Sequence, residues 1–282
     1  MSSVHPPPSA VRDAVARALA EDIGPLGDLT ASLLPVDRHV VGAVVAREEG
    51  VLAGRACATE AFNQIDPALV VRWLVDDGEA IDPAQSIGEV EGSLSSVLTA
   101  ERTALNFLQH LSGVATLTRR WVRAAQGKMR IWDTRKTTPG LRALEKAAVR
   151  AGGGANHRGG LSDFVMVKDN HLAGLTIEQA VARGRLHWPG RTVEVECDTR
   201  AQVEQAVKAK ADLVLLDNMT PSEVEACVAI VDGRCLIEVS GGVSIETLAR
   251  YIDLGVDLIS TSSITNSAPV LDIGLDIDVE PA

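Results

Sequence analysis

Two short apolar runs each end in a cluster of cations. Met129 to Trp132 leads into Asp133-Thr134-Arg135-Lys136, and Phe164 to Val167 leads into Lys168-Asp169-Asn170-His171. Between them lie a helix-like stretch, Leu141 to Ala151, then glycines 152–154 and Asn156-His157-Arg158. Arginine presents a planar fork of donors matched to carboxylate or phosphate, and lysine presents a compact point charge. Arg135, Lys136, Arg158 and Lys168 therefore suit a ligand with several negative groups, although any one of them could instead pair with Asp133, Asp163 or Asp169. His157 could be an acid–base group, a donor to a carboxylate, or a plain loop histidine, and His171 could cap a turn.

Further along, Val193 to Val195 leads into Glu196-Cys197-Asp198, and Leu213 to Leu216 into Asp217-Asn218. Glu196 and Asp217 thus end consecutive predicted strands and can face one pocket. Two carboxylates without histidine or cysteine at ligand spacing suit a hard ion such as Mg²⁺, which commonly also holds substrate phosphates. The other reading makes them salt-bridge partners of the lysines. The last two apolar runs end in Ser240-Gly241-Gly242 and Thr261-Ser262-Ser263. Glycine permits close backbone approach, and N–H groups at helix N-termini bind phosphate. Glycines 152–154 look similar but fall between a helix and a strand, and read as a flexible loop.

These ends need a frame. Apolar β-branched runs at Met129–Trp132, Phe164–Val167, Val193–Val195, Leu213–Leu216, Leu236–Val239 and Leu258–Ile259 alternate with helix-like stretches at 141–151, 177–185, 200–209, 221–231 and 245–254. Strand–helix alternation at this spacing predicts a parallel sheet or barrel. Six strands fall short of the eight of a complete barrel, so the expectation is an open, incomplete α/β barrel with its site on the C-terminal face of the strands. The preceding part, with strands predicted at 40–46 and 69–75, short extended segments over 81–90, and helices at 11–19 and 55–65, mixes elements without a repeat and reads as an α+β unit. A long helix is predicted over 95–125, with Ser112-Gly113 as a place where it breaks or bends. Arg102 lies early in that helix, where spacing alone makes it a solvated surface charge. The expected division is 1–112 for the α+β domain and 113–266 for the barrel, with the tail 267–282 packing back on the first.

Composition narrows the class. A chain of 282 residues allows one large or two ordinary domains. Aromatics make up only 3%, so the core must be aliphatic, as in helix-covered parallel sheets. The net charge of −11 argues against general attraction to nucleic acid and makes the local cationic cluster more informative. Cys57, Cys197, Cys227 and Cys235 lack paired spacing and read as free thiols. The N-terminus has no apolar signal core and no run approaches membrane-spanning length, so a soluble cytoplasmic protein is expected. The residues alone thus reach an enzyme that binds a polyanionic small molecule and a phosphate, with Mg²⁺.

The motifs DTRKTTPGLR at 133–142, GGGANHRGGLSDFVMVKDNH at 152–171, EVE at 194–196, LLDN at 215–218 and EVSGG at 238–242 resemble the quinolinate phosphoribosyltransferase family. EDIGPLGDLT at 21–30 and ERTALNFLQHLSG at 101–113 are similar to the same family, so the likeness runs through most of the chain in order. It implies the type II phosphoribosyltransferase fold and transfer of a phosphoribosyl group from phosphoribosyl pyrophosphate to quinolinate. Decarboxylation follows, giving nicotinate mononucleotide in NAD biosynthesis. By resemblance, Thr134, Arg135, His157, Arg158 and Lys168 hold quinolinate. Lys136 stands near the reacting groups and the pyrophosphate. Glu196 and Asp217 contact the ribose and, mostly through pyrophosphate or water, Mg²⁺, while Ser240, Gly241, Gly242, Thr261, Ser262 and Ser263 hold the 5′-phosphate. The resemblance also implies a homodimer in which Arg102 enters the partner's site, with further assembly of dimers possible. Residues 260–267, Ser-Thr-Ser-Ser-Ile-Thr-Asn-Ser, depart from the family's pattern after the last strand. Three other readings compete: a paralogue of the same fold with a different acceptor, an aldolase-type lyase using Lys168 as a Schiff base, and a ligand-binding sensor.

Overall fold

A computed structural model describes residues 4–35 and 38–277, which fall into two compact units.

The first unit gathers the described residues up to Arg119, Thr137–Gly153, and those from Ser263 onward. It begins with α1 (Pro8–Asp22), where Pro8 occupies the first turn and needs no intrahelical N–H partner. Val11, Ala14, Val15 and Leu19 of α1 are buried along one stripe. There follow β1 (His39–Ala46), β2 (Gly50–Val51), α2 (Arg55–Ile65), β3 (Val70–Trp73), β4 (Ala80–Ile81) and β5 (Ser86–Ser93). The long α3 (Leu94–Ala124) begins here, and α4 (Arg142–Ala151) belongs here. An antiparallel sheet runs in the order β12-β1-β5-β3, where β12 (Ile273–Ile277) pairs with β1 from Gly42↔Ile277 to Ala46↔Ile273. β2 and β4 form a separate small ribbon.

Two sequence readings need correction in this unit. Helix α3 runs unbroken for 31 residues through Ser112-Gly113. The Ser112 hydroxyl donates to the Ala53 carbonyl and accepts the Ala53 N–H, at 3.1 and 3.0 Å. Glycine at 113 serves close approach, because a Cβ there would collide with the Pro269 carbonyl. Gly113→Ala is accordingly expected to cost about 1–3 kcal/mol by overpacking, read as a lower thermal unfolding midpoint. Nor are Gly152 and Gly153 a flexible loop. The Gly152 N–H bonds to the Ala148 carbonyl at 2.9 Å and closes α4, and a Cβ on Gly152 would lie 2.5 Å from the Ala115 carbonyl oxygen. Gly153 has φ +90°, which glycine adopts without strain.

The second unit covers Arg120–Lys136 and Gly154–Ser262. Its six strands are β6 (Arg130–Trp132), β7 (Val165–Val167), β8 (Val193–Cys197), β9 (Leu213–Asp217), β10 (Leu236–Ser240) and β11 (Leu258–Ser260). They form one sheet in the order β6-β11-β10-β9-β8-β7, with every pair parallel. Strands successive from β7 to β11 are neighbours, and the first, β6, joins the far side of β11. This is the order of a barrel opened between β6 and β7, which do not pair among the described residues. Residue Ala155 partly fills the opening. Its N–H donates to the Ile131 carbonyl at 2.9 Å, and its carbonyl accepts the Asp133 N–H at 3.2 Å, along the edge of β6 that β11 leaves free.

The crossover helices are α5 (Ile177–His187), α6 (Arg200–Lys208), α7 (Pro221–Val231) and the short α8 (Ile245–Leu248), while α9 (Ser263–Asn266) falls in the first unit. Helix α8 stops well before the predicted residue 254, and turns occupy the remainder. Thr176, Thr199, Thr220 and Ser244 stand at the N-caps, each with its backbone N–H bonded to the side chain three residues on. These reciprocal caps fix where each helix leaves the strand end before it. On β8, Val193, Val195 and Cys197 are fully buried on one face, and Gly184 of α5 packs closely against Val193. The alternate residues, Glu194 and Glu196, therefore point to the barrel interior. The four cysteines are free thiols. No helix among the described residues is long and apolar enough to cross a membrane.

Candidate active site

The strand ends of the second unit enclose a cavity of about 440 Å³. It is lined by Thr134, Arg135, Lys136, His157, Arg158, Met166, Lys168, Glu196, Leu215, Asp217, Glu238, Ser240 and Ser260. Every cation singled out in the sequence for this barrel face is in that lining, as are both strand-end carboxylates. Parallel pairing places Glu196 opposite Leu215, and Ser240 opposite Asp217. The concave C-terminal face of a parallel sheet is where such folds bind ligands.

Several local devices set these side chains. The Lys136 N–H donates to Thr134 Oγ1 at 3.0 Å, turning the chain tightly after β6. Lys168 Nζ pairs with the Glu196 carboxylate across adjacent strands. His171 does cap the turn after β7, its Nδ1 accepting the Lys168 N–H at 3.0 Å. Asn218 takes a left-handed conformation, φ +53°, and its amide donates to Asp217 Oδ2 at 2.8 Å. Gly241, at φ +81°, comes so close to the Asn218 amide that a Cβ would clash, and the Asn218 N–H bonds to the Ser240 carbonyl at 2.9 Å. The ends of β9 and β10 are thereby tied together.

The wall below these groups is ionic. Asp133 is fully buried, and its carboxylate accepts the His157 N–H at 2.9 Å and the Asn156 amide at 2.6 Å. The His157 ring lies between Trp132 and Phe164, with centroids 5.4 and 5.0 Å away. Its Nδ1 accepts the Arg158 N–H at 2.8 Å, and its Nε2 lies 3.4 Å from Glu194 and 3.5 Å from Glu238. Burial works against a charged imidazole here, but Glu194 and Glu238 outweigh it and raise His157 to about 9. Burial raises the Glu194 carboxyl to about 7, with His157 pulling it down and Glu238 adding to the rise. Burial, followed by repulsion from Arg135, lowers the Arg158 guanidinium.

The sequence offered His157 as a donor to a carboxylate, and its Nε2 does stand beside two, Glu194 and Glu238, while the residue also lines the cavity. Gly241, Gly242, Thr261, Ser262 and Ser263 do not line the cavity. Gly242 has φ +68°, and the Thr261 N–H donates to the Trp132 carbonyl at 3.0 Å. Arg102 is in the other unit, exposed on α3, where it lines a separate cavity of about 570 Å³ with Arg17, Asn106, His110 and Thr138. Among the lining residues, Met166, Leu215, Glu238 and Ser260 were not anticipated. Glu238 had a visible signal, since a glutamate inside the apolar run Leu236 to Val239 must either face an interior or break the strand.

Two acidic sets could attract a metal. Glu196 and Asp217 offer hard oxygen donors at the mouth of the cavity, which suits Mg²⁺. His157, Glu194 and Glu238 bring potential ligand atoms within 4.8 Å of one another.

Residues 114–276 match the family model described as quinolinate phosphoribosyl transferase, C-terminal domain, and residues 28–112 match the N-terminal domain model. The chain is 41% identical over 276 residues to a nicotinate-nucleotide pyrophosphorylase [carboxylating] from Mycobacterium leprae, covering 95% of this chain and 97% of that one. It is 39% identical over 289 residues to quinolinate phosphoribosyltransferase [decarboxylating] 1b from Nicotiana tabacum, covering 94% and 81%. The solved nicotinate-nucleotide pyrophosphorylase from Francisella tularensis superposes with a TM-score of 0.94 at 38% identity, over 99% of this chain and all of that one.

Proposed function

This chain belongs to the quinolinate phosphoribosyltransferase family, and we propose that the cavity at the open barrel's strand ends is where it carries out that family's reaction. The reaction transfers the phosphoribosyl group of phosphoribosyl pyrophosphate to the ring nitrogen of quinolinate. Pyrophosphate leaves, the 2-carboxylate is lost as carbon dioxide, and nicotinate mononucleotide is formed. The observation that carries the assignment of the site is the convergence of Arg135, Lys136, Arg158 and Lys168 with Glu196 and Asp217 in one cavity. A dicarboxylate and a pyrophosphate need those cations, and a developing ribosyl cation needs those carboxylates.

In this reading Arg135, Arg158 and Lys168 take the quinolinate carboxylates, with Thr134 at the rim and His157 in the wall. Lys168 is paired with Glu196. A quinolinate carboxylate competes for Lys168 and frees Glu196 to turn toward the ribose. Lys136 holds the leaving pyrophosphate. As the bond to pyrophosphate loosens, Glu196 and Asp217 stabilise the positive charge at the ribose while the pyridine nitrogen supplies the new bond. The positive charge of the quaternised ring nitrogen then stabilises the electron pair left on C2 as the 2-carboxylate departs as carbon dioxide, and a proton from solvent takes the carboxylate's place there. Glu196 and Asp217 would hold Mg²⁺ mostly through pyrophosphate oxygens or water, and the ion, when bound, neutralises pyrophosphate charge. The turns at Ser240-Gly241-Gly242 and Thr261-Ser262-Ser263 receive the 5′-phosphate, with the Thr261 N–H already committed to Trp132. Arg102 is supplied by the second copy in a homodimer.

The test is a coupled assay with phosphoribosyl pyrophosphate and Mg²⁺, run with quinolinate and with nicotinate in parallel. Nicotinate mononucleotide and carbon dioxide are expected from quinolinate, and no product from nicotinate, which lacks the second carboxylate. Equal use of nicotinate would sink the assignment of the cations to a dicarboxylate.

A further inference from the structure

The interior of a barrel is ordinarily filled by aliphatic side chains contributed in layers by alternate strands. Here the layer at the cavity floor holds two buried carboxylates from alternate strands, Glu194 on β8 and Glu238 on β10, the second also in the cavity lining. A well-packed apolar pair would be the more stable choice at such positions. Both carboxylates face a single group, the Nε2 edge of His157, whose side chain is 5% exposed.

The chemistry of the ring rules out one use of this trio. Nδ1 accepts the Arg158 N–H, so it keeps its lone pair in the neutral ring and the hydrogen sits on Nε2. Glu194 and Glu238 favour the charged ring, but that ring carries a hydrogen on Nδ1 too and would lose the Arg158 bond, so the observed bond marks the neutral ring; Nε2 holds a hydrogen in either form. A metal ion at the trio would need a bare Nε2, which neither form provides. What the geometry does offer is a hydrogen-bearing Nε2 3.4 and 3.5 Å from two buried carboxylates whose oxygens meet no other hydrogen-bond donor among the described residues.

That contact has a consequence for the cavity. The imidazole stands at the barrel opening between β6 and β7, in contact with Trp132 and Phe164. The next residue is Arg158, whose N–H is bonded to the same ring and whose guanidinium lies over the Phe164 ring, 5.8 Å from its centroid. Arg135 repels that guanidinium. Rotation of the imidazole would therefore release the Arg158 backbone while a neighbouring cation pushes its side chain away.

We propose that Glu194 and Glu238 are positioning residues for the transfer reaction: they lock the His157 imidazole across the barrel opening and, through it, fix Arg158 among the cations that receive quinolinate. The inference rests on the quinolinate reading above. Wild-type turnover of quinolinate tests that reading, and the behaviour of variants relative to wild type tests this one.

The experiment uses full-length enzyme with Glu194→Gln, Glu238→Gln, His157→Asn, and Glu238→Gln combined with His157→Asn. Each single Gln variant is expected to raise the quinolinate KM by about 10- to 100-fold, by analogy with the loss of a partner behind a metal-holding histidine. The phosphoribosyl pyrophosphate KM should stay within about twofold, and the melting midpoint should hold, because each Gln keeps the shape and removes a buried charge. In the His157→Asn background, Glu238→Gln should add less than about twofold, since residues acting through one group are not additive. Should the Gln variants fail to fold, Glu238→Asp keeps the charge, withdraws it by one methylene, and carries the same split between the two KM values. Equal rises in both KM values, or full additivity with His157→Asn, would overturn the proposal.

Discussion

Lys136→Ala is expected to lower kcat by about 10²- to 10³-fold, the range found when one preorganised charge-stabilising donor is removed from a reacting group. The melting midpoint should barely move. Lys136 is exposed, and exposed substitutions away from caps and strained turns usually change stability by no more than about 0.5 kcal/mol. The local turn depends on the Lys136 backbone N–H bonding to Thr134 Oγ1, and alanine keeps that N–H. The effect should therefore fall on turnover. In the proposed reading pyrophosphate departs with several negative charges in a cavity that also contains Glu196 and Asp217, and Lys136 offsets part of their repulsion. In that reading quinolinate is held by Arg135, Arg158 and Lys168, so its KM should change by less than kcat does. Steady-state kinetics with both substrates varied, beside a thermal melt, give the comparison. A variant with near-wild-type turnover would remove Lys136 from the reaction.

The parallel unit was legible because its chemistry and its topology share a rule. Each of its strands is mostly apolar, each strand end is polar, and ligands meet parallel sheets at those ends. Arg135, Lys136, Lys168, Glu196 and Asp217 could be assigned to one face before any coordinates, and the structure brings all five into one cavity. Glu194 and Glu238 were harder. Alternation within Val193-Glu194-Val195 and Ile237-Glu238-Val239 marks both as facing away from the helices. Their partner, His157, arrives on a loop from between β6 and β7, and no local pattern encodes that meeting. Ser112-Gly113 and Gly152 were misread for a common reason. In sequence, glycine at these places reads as a break or a flexible loop, whereas at both it permits backbone contact with a distant segment, Pro269 in one case and Ala115 in the other. Such contacts exist only after folding. The overlong helix at 245–254 reflects the weakness of apolar periodicity at element ends, where the turns that follow Leu248 carry apolar residues too.

Arg102 presents the opposite problem, because neither spacing nor the geometry of one chain gives it a substrate. The family resemblance makes it a residue lent to a second copy, and this leads to an outcome that ordinary mutagenesis does not produce. Arg102→Ala and Lys136→Ala should each be nearly inactive as pure proteins. If the first lacks the arginine it lends and the second lacks a group in its own barrel, a mixed dimer contains one site with both defects and one with neither. Unfolding and refolding an equal mixture, or co-expressing the two chains, should then restore about a quarter of the wild-type sites: half the dimers are mixed, and half the sites in each are intact, as a two-fold symmetric assembly requires. The recovered sites should show wild-type KM values for both substrates, since nothing in them has changed. An Arg102 that serves its own chain predicts something else. Every site in the mixture would then carry one defect or the other, and activity would stay at the level of the pure variants at every mixing ratio. The same mixing with Lys136→Ala and Arg135→Ala is the control. Both residues line the one cavity of a single unit, so no exchange of subunits can complement them, and recovery in that control would point to contamination by wild-type enzyme.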